Sequence, residues 1–309
     1  MIINAIGKAQ FGAIVTDIRL NRMDDDGFVA IKSAFLTYGF LVFPGQFLTD
    51  AENVDFGHRF SELEFAALPM ANQAKNEDGT YGEIIGVETQ RMMTNIGNES
   101  WHTDSTYRPI SSKCALLSAI VVPREGGETE LADARAGFAA LDQEMKNKIE
   151  HLGAFHSAEY SQANDLGNFP AVSRDSIYHG EAFLRPLVKN HPETGNKNLL
   201  IGRHAFGIPG LDRQESRKLL SSLVAFVTGD SSRVYRHKWK AGDTLLWDNR
   251  ALLHRALPYD YTEPRVLTGT RVAGDPDSEL AYYPTDPQAE AGRIALANEL
   301  SMLRTRQTD

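Results

Sequence analysis

The sequence predicts a mainly β fold with flanking helices, and three observations carry that expectation. Strand-like runs crowd the second half of the chain, while helical patterns stand early and in the middle. Across 309 residues there is no repeat, low-complexity tract or Pro/Ser-rich linker, so residues 1–309 read as a single domain. The composition, 42% hydrophobic and 24% charged with a mean hydropathy of −0.34, is that of an ordinary globular chain.

The elements follow in order. Phe11 to Val15 reads as a short strand. Asp26 to Tyr38 reads as a helix with Phe28, Ile31 and Phe35 on one face and Gly39 as its stop. Leu41 to Pro44 is a buried strand, and Thr49 with Glu52 forms a capping-box pattern that opens a helix running into Phe60. Ala115 to Val122 is a strand ended by Pro123 and Gly126-Gly127, and Phe138 to Leu152 is helical. Asp212 caps a helix whose Leu219, Leu220, Leu223, Val224 and Val227 recur at helical spacing. Val234 to Lys240, Thr244 to Trp247 and Val266 to Val272 read as strands, the first two joined by the turn Ala241-Gly242-Asp243. Asp286-Pro287 starts a last helix, about 287–304, with Ile294, Leu296, Leu300 and Leu303 on its apolar side. This order points to a double-sheet jelly roll, a double-stranded β-helix of the cupin-like kind. Two long polar, Gly-containing stretches, 72–90 and 160–185, read as lid loops.

Charge and cysteine content exclude several classes. The net charge is −9, from 32 basic and 41 acidic residues with no basic stripe, which is unsuited to nucleic acid. No apolar run approaches the roughly 18 residues that span a bilayer, and the N-terminus lacks a signal-peptide pattern, so a cytoplasmic location without membrane partners is expected. The single cysteine, Cys114, allows no intramolecular disulfide or thiolate cluster and reads as a small buried residue. Any metal must therefore be held by nitrogen and oxygen.

His102 and Asp104, in Trp101-His102-Thr103-Asp104, stand two apart and on a strand would share one face. His254, after Trp247-Asp248-Asn249-Arg250, is the best candidate for a third ligand. Two imidazoles and one carboxylate suit ferrous iron and leave coordination positions open. A His-x-Asp pair alone is weak in a chain with 9 histidines; its company strengthens it. Gly126-Gly127-Glu128-Thr129 follows Asp104, Arg265 follows His254 by 11 residues, and Arg271 stands six beyond Arg265, an even spacing that places both on one strand face. A guanidinium and a Thr hydroxyl could grip the far carboxylate of a dicarboxylate that chelates the metal.

These motifs resemble the taurine and 2,4-dichlorophenoxyacetate dioxygenase (TauD/TfdA) family of iron(II)/2-oxoglutarate dioxygenases. The resemblance runs from Gly12-Ala13-Ile14-Val15-Thr16-Asp17 through Phe43-Pro44-Gly45-Gln46, Arg59-Phe60, Asn98 to Ser105 and Gly126 to Thr129, to His254-Arg255-Ala256 and Arg265 to Asp275. It implies His102, Asp104 and His254 as iron(II) ligands, Thr129 and Arg265 as holders of 2-oxoglutarate, and O2 as the oxidant. The carboxylate at Asp104 marks a hydroxylating member; related halogenases carry a small residue there. Family members commonly form dimers or tetramers, so a homo-oligomer is expected.

Two departures bear on the substrate. Taurine-type members place an arginine where this chain has Gly269 and a histidine where it has Ala66, so both sulfonate contacts are missing. Arg271, Ile201 to Ala205 and Asp275-Pro276 instead resemble the branch acting on aryloxyalkanoates. Arg271 is open between the cosubstrate and a substrate carboxylate. Asn98, His204 and Phe65 match pocket positions, and His204 reads equally as a donor to a substrate carboxylate and as a core or surface histidine. Phe65, Met70, Met92 and Met93 read as pocket or core. Trp101 and Trp247 would buttress the ligands, and Trp239 reads as core, as do His58, His151, His156, His179, His191 and His237 as structural residues. The expected substrate is thus a small molecule bearing a carboxylate. A natural-product tailoring oxygenase and a sulfonate dioxygenase stand as alternatives, and a metal-binding jelly roll without activity would not need Thr129 and Arg265 at these offsets.

Overall fold

The computed structural model describes residues 1–7, 10–170, 173, 180–283 and 287–308. Its frame is two facing sheets. The larger has seven strands in the order Ile2–Ala5, Ala13–Thr16, Phe40–Phe43, Thr244–Asp248, Cys114–Val121, Val266–Val272 and Leu63–Ala71. The smaller has three, in the order Val234–His237, Thr129–Asp133 and Leu252–Ala256. From Val234 onward the chain alternates between them, small sheet to large and back, which is the winding of a double-stranded β-helix. The pairings are antiparallel except Ala13–Thr16 with Phe40–Phe43, whose parallel register requires the intervening helix as a crossover. Phe40, Val42, Ala115, Leu245 and Leu267 from the large sheet and Leu131 and Leu252 from the small one form one buried cluster. Apolar residues on the inner faces of both sheets drive this packing.

The helices cover the outer faces, and local capping sets their limits. Asp24 caps Asp25–Tyr38, accepting from the Gly27 amide at 2.8 Å, and Gly39 ends it at φ 77°, donating to the Phe35 carbonyl. Ile31, Ala34 and Phe35 bury its inner side. The expected capping box forms, Thr49 with Glu52 ahead of Asp50–His58, and Asp212, expected as a cap, also forms a box with Glu215 ahead of Arg213–Thr228. The helix expected over Phe138 to Leu152 is two, Ala134–Ala140 and Gln143–Ile149. Asp142 accepts from the Met145 amide at 2.7 Å, so its carboxylate starts a new helix instead of continuing the old one.

The last helix spans Pro287–Thr308 and buries Leu296, Leu300 and Leu303 against Phe155, Tyr160, Phe206 and Tyr283. Ile294, expected on that side, faces outward and is 54% exposed. Asp286 and His179 lie outside the described residues. Neither stretch expected as a lid loop is structureless. Residues 72–90 hold the paired strands Gln73–Lys75 and Tyr81–Ile84. Residues 160–185 take in most of the helix Ala158–Leu166 and part of the strand Phe183–Pro186; 171–172 and 174–179 between them lie outside the described residues. Few apolar residues alternate in 72–90, and its pairing is local, so pattern alone did not reveal it.

Candidate active site

His102 joins the small sheet through one bridge. Its amide donates to the His254 carbonyl at 3.0 Å, and the His254 amide donates back at 2.8 Å. This places the two imidazoles side by side, ring centroids 4.1 Å apart, and Asp104 follows two residues on. Ligand atoms of the three buried side chains lie within 4.8 Å of one another, the one such trio among the described residues. Gly202 packs behind His102 at φ 126°; a Cβ there would stand 2.9 Å from the His102 Cα, so only glycine allows the approach.

Hydrogen bonds decide which atoms remain for a metal. His102 Nδ1 lies 2.8 Å from the Ser100 carbonyl, which can only accept, so Nδ1 carries the proton and Nε2 keeps its lone pair. Burial, then the neighbouring His254, pushes His102 well below the usual histidine range, and burial lowers His254. Both rings are neutral, as ligands must be. Burial alone would raise the Asp104 carboxyl, but the Arg271 guanidinium beside it overrides burial and lowers it, holding the group ionised. Asp104 Oδ1 accepts from Arg271 Nη2 at 2.6 Å. Its Oδ2 accepts from Asn249 Nδ2 at 3.3 Å and lies 3.6 Å from His254 Nε2. Asn249 is in turn fixed by Trp247 Nε1, which donates to its Oδ1 at 3.0 Å, and by Ser112. The donor set, two neutral imidazoles and one oriented carboxylate, therefore fits a divalent iron.

The same cavity is lined by Thr129 and Arg265. Arg265 donates Nε and Nη2 to the Gly127 carbonyl at 3.1 and 2.9 Å, and its guanidinium lies 5.5 Å from the Tyr259 ring centre. Gly127, at φ 68°, makes room, since a Cβ would stand 2.9 Å from Arg265 Nε. Burial pushes Arg265 down to about 10, so it remains a cation at neutral pH. Glu99 accepts a hydrogen bond from the Tyr261 hydroxyl beside it. Thr129 Oγ1 accepts from Trp239 Nε1 at 3.1 Å, so Trp239 braces the site as well as filling core.

Of the remaining sequence candidates, Asn98, Phe65 and Arg271 line the cavity and His204 does not. His204 sits behind His102, edge-on at 5.9 Å, with Nδ1 2.9 Å from Ser161 Oγ. The alternation from Arg265 to Arg271 does put both on one face, but Arg271 is engaged by Asp104 and, at 3.2 Å, by Ser105 Oγ. Leu68, Met70, Met92 and Leu117 give the cavity an apolar side, while Met93 is not among its lining residues.

Sequence reasoning missed Asn72. Its Oδ1 accepts from the Arg265 amide at 2.8 Å, and its Nδ2 donates to the Tyr261 and Glu263 carbonyls at 3.0 and 2.7 Å. A partner 193 residues away leaves no local signal. Asn249, by contrast, stood within the Trp247 to Arg250 motif.

A family model described as Taurine catabolism dioxygenase TauD, TfdA family matches residues 4–271. The chain is 45% identical over 278 residues to an (S)-phenoxypropionate/alpha-ketoglutarate-dioxygenase of Sphingobium herbicidovorans, covering 88% of this chain and 95% of that one. It is 43% identical over 280 residues to a protein of the same description from Delftia acidovorans, with the same coverage of 88% and 95%. Among solved structures, AAD-2 in complex with Mn(II) and N-oxalylglycine superposes with a TM-score of 0.81 at 34% identity, covering 88% of this chain and 98% of that one. By its matched length, its relatives and its shared architecture, the chain belongs to the TauD/TfdA dioxygenase family.

Proposed function

We propose that this enzyme is an iron(II)- and 2-oxoglutarate-dependent dioxygenase that hydroxylates an ether-adjacent C–H bond of a small aryloxyalkanoate, with release of succinate and CO2. The observation that carries the reading is one cavity that joins the His102, Asp104 and His254 trio to half-buried Arg265 and buried Thr129 and has an apolar side. Relatives named for phenoxypropionate support the substrate class.

In this reading His102, Asp104 and His254 hold the iron, and Arg265 with Thr129 grips the far carboxylate of 2-oxoglutarate. When bound, the iron and the 2-oxo acid together supply the oxidising power, one oxygen atom of O2 leaving in succinate and the other entering the substrate. The chain's own part is positional. Arg271 and Asn249 hold the two carboxylate oxygens of Asp104 in a fixed orientation. Gly127 and Asn72 fix Arg265 at its guanidinium and its backbone. Leu68, Met70, Met92 and Leu117 keep water from the reacting C–H. Hydroxylation beside the ether oxygen gives a hemiacetal, which collapses to a phenol and a 2-oxo acid.

A panel of aryloxyalkanoates, alkylsulfonates and terpenoid acids, scored for succinate release and substrate loss together, tests the reading. Coupled turnover of an aryloxyalkanoate with phenol release is expected. Coupling with sulfonates or terpenoid acids alone would overturn it. His102→Ala is expected to abolish coupled turnover and to weaken Mn(II) binding measured by calorimetry.

A further inference from the structure

One wall of the cavity is built on a break in the strand ladder. On the strand Val266–Val272 and the residue before it, Arg265, Leu267, Gly269 and Arg271 line the cavity at every second position, and Thr270 also borders it. The neighbouring strand Leu63–Ala71 does not keep this alternation. Met70 stands opposite Leu267 and Leu68 opposite Gly269, so a regular ladder would set Ala66 opposite Arg271. Phe65 stands there instead. Three steps on one strand cover two on the other, which is a β-bulge.

Ala67 absorbs the extra residue at φ 46°, a left-handed conformation that a residue with a Cβ adopts only at a cost. Its amide reaches Thr270 Oγ1 at 3.4 Å. Ala66 is left exposed, and Phe65 lines the cavity with its ring centre 5.3 Å from the guanidinium carbons of Arg271 and of Arg108 alike. Across the ladder Gly269 carries no side chain; a Cβ would lie 3.1 Å from Leu117. The left-handed turn at Ala67 thus sets the Phe65 ring in the cavity wall beside Arg271.

We propose that Ala67 is a positioning residue for aromatic substrates, its left-handed bulge turning the Phe65 ring into the cavity as the wall on which the substrate's aryl ring lies. This rests on the aryloxyalkanoate reading above. The Arg271 and Arg108 guanidiniums, each 5.3 Å from its centre, hold the Phe65 ring in place, so a second ring meets it pre-oriented, in an edge-to-face contact.

The test uses Ala67→Val, whose branched Cβ resists the left-handed region, and Ala67→Gly, which adopts it freely. Binding of 2-phenoxypropanoate, 2-methoxypropanoate and 2-oxoglutarate to the Mn(II)-loaded protein is measured by equilibrium dialysis, with no turnover. Ala67→Val is expected to weaken phenoxypropanoate about tenfold and leave the other two within about twofold, while Ala67→Gly holds phenoxypropanoate near the wild-type value. Phe65→Leu, which keeps the bulge and removes the ring, gives the same selective loss. Undiminished phenoxypropanoate binding by Ala67→Val or by Phe65→Leu, or equal weakening of both propanoates, overturns the inference while the aryloxyalkanoate reading stands. A wild-type protein that couples no aryloxyalkanoate at all overturns that reading itself.

Discussion

Replacing Arg271 with methionine probes the metal site without touching a proposed ligand. The guanidinium is 17% exposed and the Asp104 carboxylate 5%, and they meet at 2.6 Å. Removing one partner of such a buried pair strands the other charge and costs about 3–5 kcal/mol. Asn249 still donates to Oδ2, so the metal-free variant is expected near the lower bound, about 3 kcal/mol less stable than wild type. A divalent cation bound by His102, Asp104 and His254 restores positive charge at the same carboxylate. With saturating Mn(II) the deficit should shrink below about 1 kcal/mol, because the ion stabilises the variant more than the parent. Urea unfolding followed by tryptophan fluorescence, in EDTA and in Mn(II), reads both values. An equal deficit in the two conditions would refute the reasoning, since it would mean that Arg271 and the cation do not share Asp104.

Two further outcomes follow from the geometry. Asn72→Ala removes three side-chain hydrogen bonds from the segment carrying Arg265 and leaves the Arg265 amide unsatisfied, a penalty of about 1–3 kcal/mol for that group. The apparent affinity for 2-oxoglutarate should fall about tenfold with kcat nearly unchanged, roughly 1.4 kcal/mol of lost positioning; an unaltered KM for 2-oxoglutarate would show that Asn72 only supports the fold. His156 is fully buried, both ring nitrogens lack partners among the described residues, and burial with nearby Arg185 pushes it down to about 3. The unfolded chain takes up this proton below about pH 6.5 while the folded one does not, so stability held above that pH is lost toward pH 3 at about 1.4 kcal/mol per unit. His156→Leu should flatten the stability curve between pH 6 and pH 4 by about that slope in urea titrations; parallel curves would contradict it.

Much of the site was legible because its geometry is local. His102 and Asp104 stand two apart and so appear together in the sequence, although only His102 bridges to a strand and Asp104 lies in the turn that follows, while alternation did carry from Arg265 to Arg271 through Leu267 and Gly269. The capping boxes at Thr49 and Asp212 close within three residues, so the sequence contains both partners. Asp142 shows the limit: the same residue type suits a helix interior poorly and a cap well, and the periodic pattern around it hid the break.

The sequence by itself determined which chemistry the chain can hold, namely nitrogen and oxygen ligands, an arginine for an anion, and sheets to carry them. The tertiary structure decided the partners. Arg271 meets Asp104 because of the strand it lies on and the neighbours of that strand, and Asn72 meets Arg265 across 193 residues. Phe65 faces the cavity because a bulge at Ala67 reverses the alternation that its sequence position implies. Alternation and capping are properties of neighbouring residues. Register and ion pairing depend on which distant strands share a sheet, and only the packed fold supplies that.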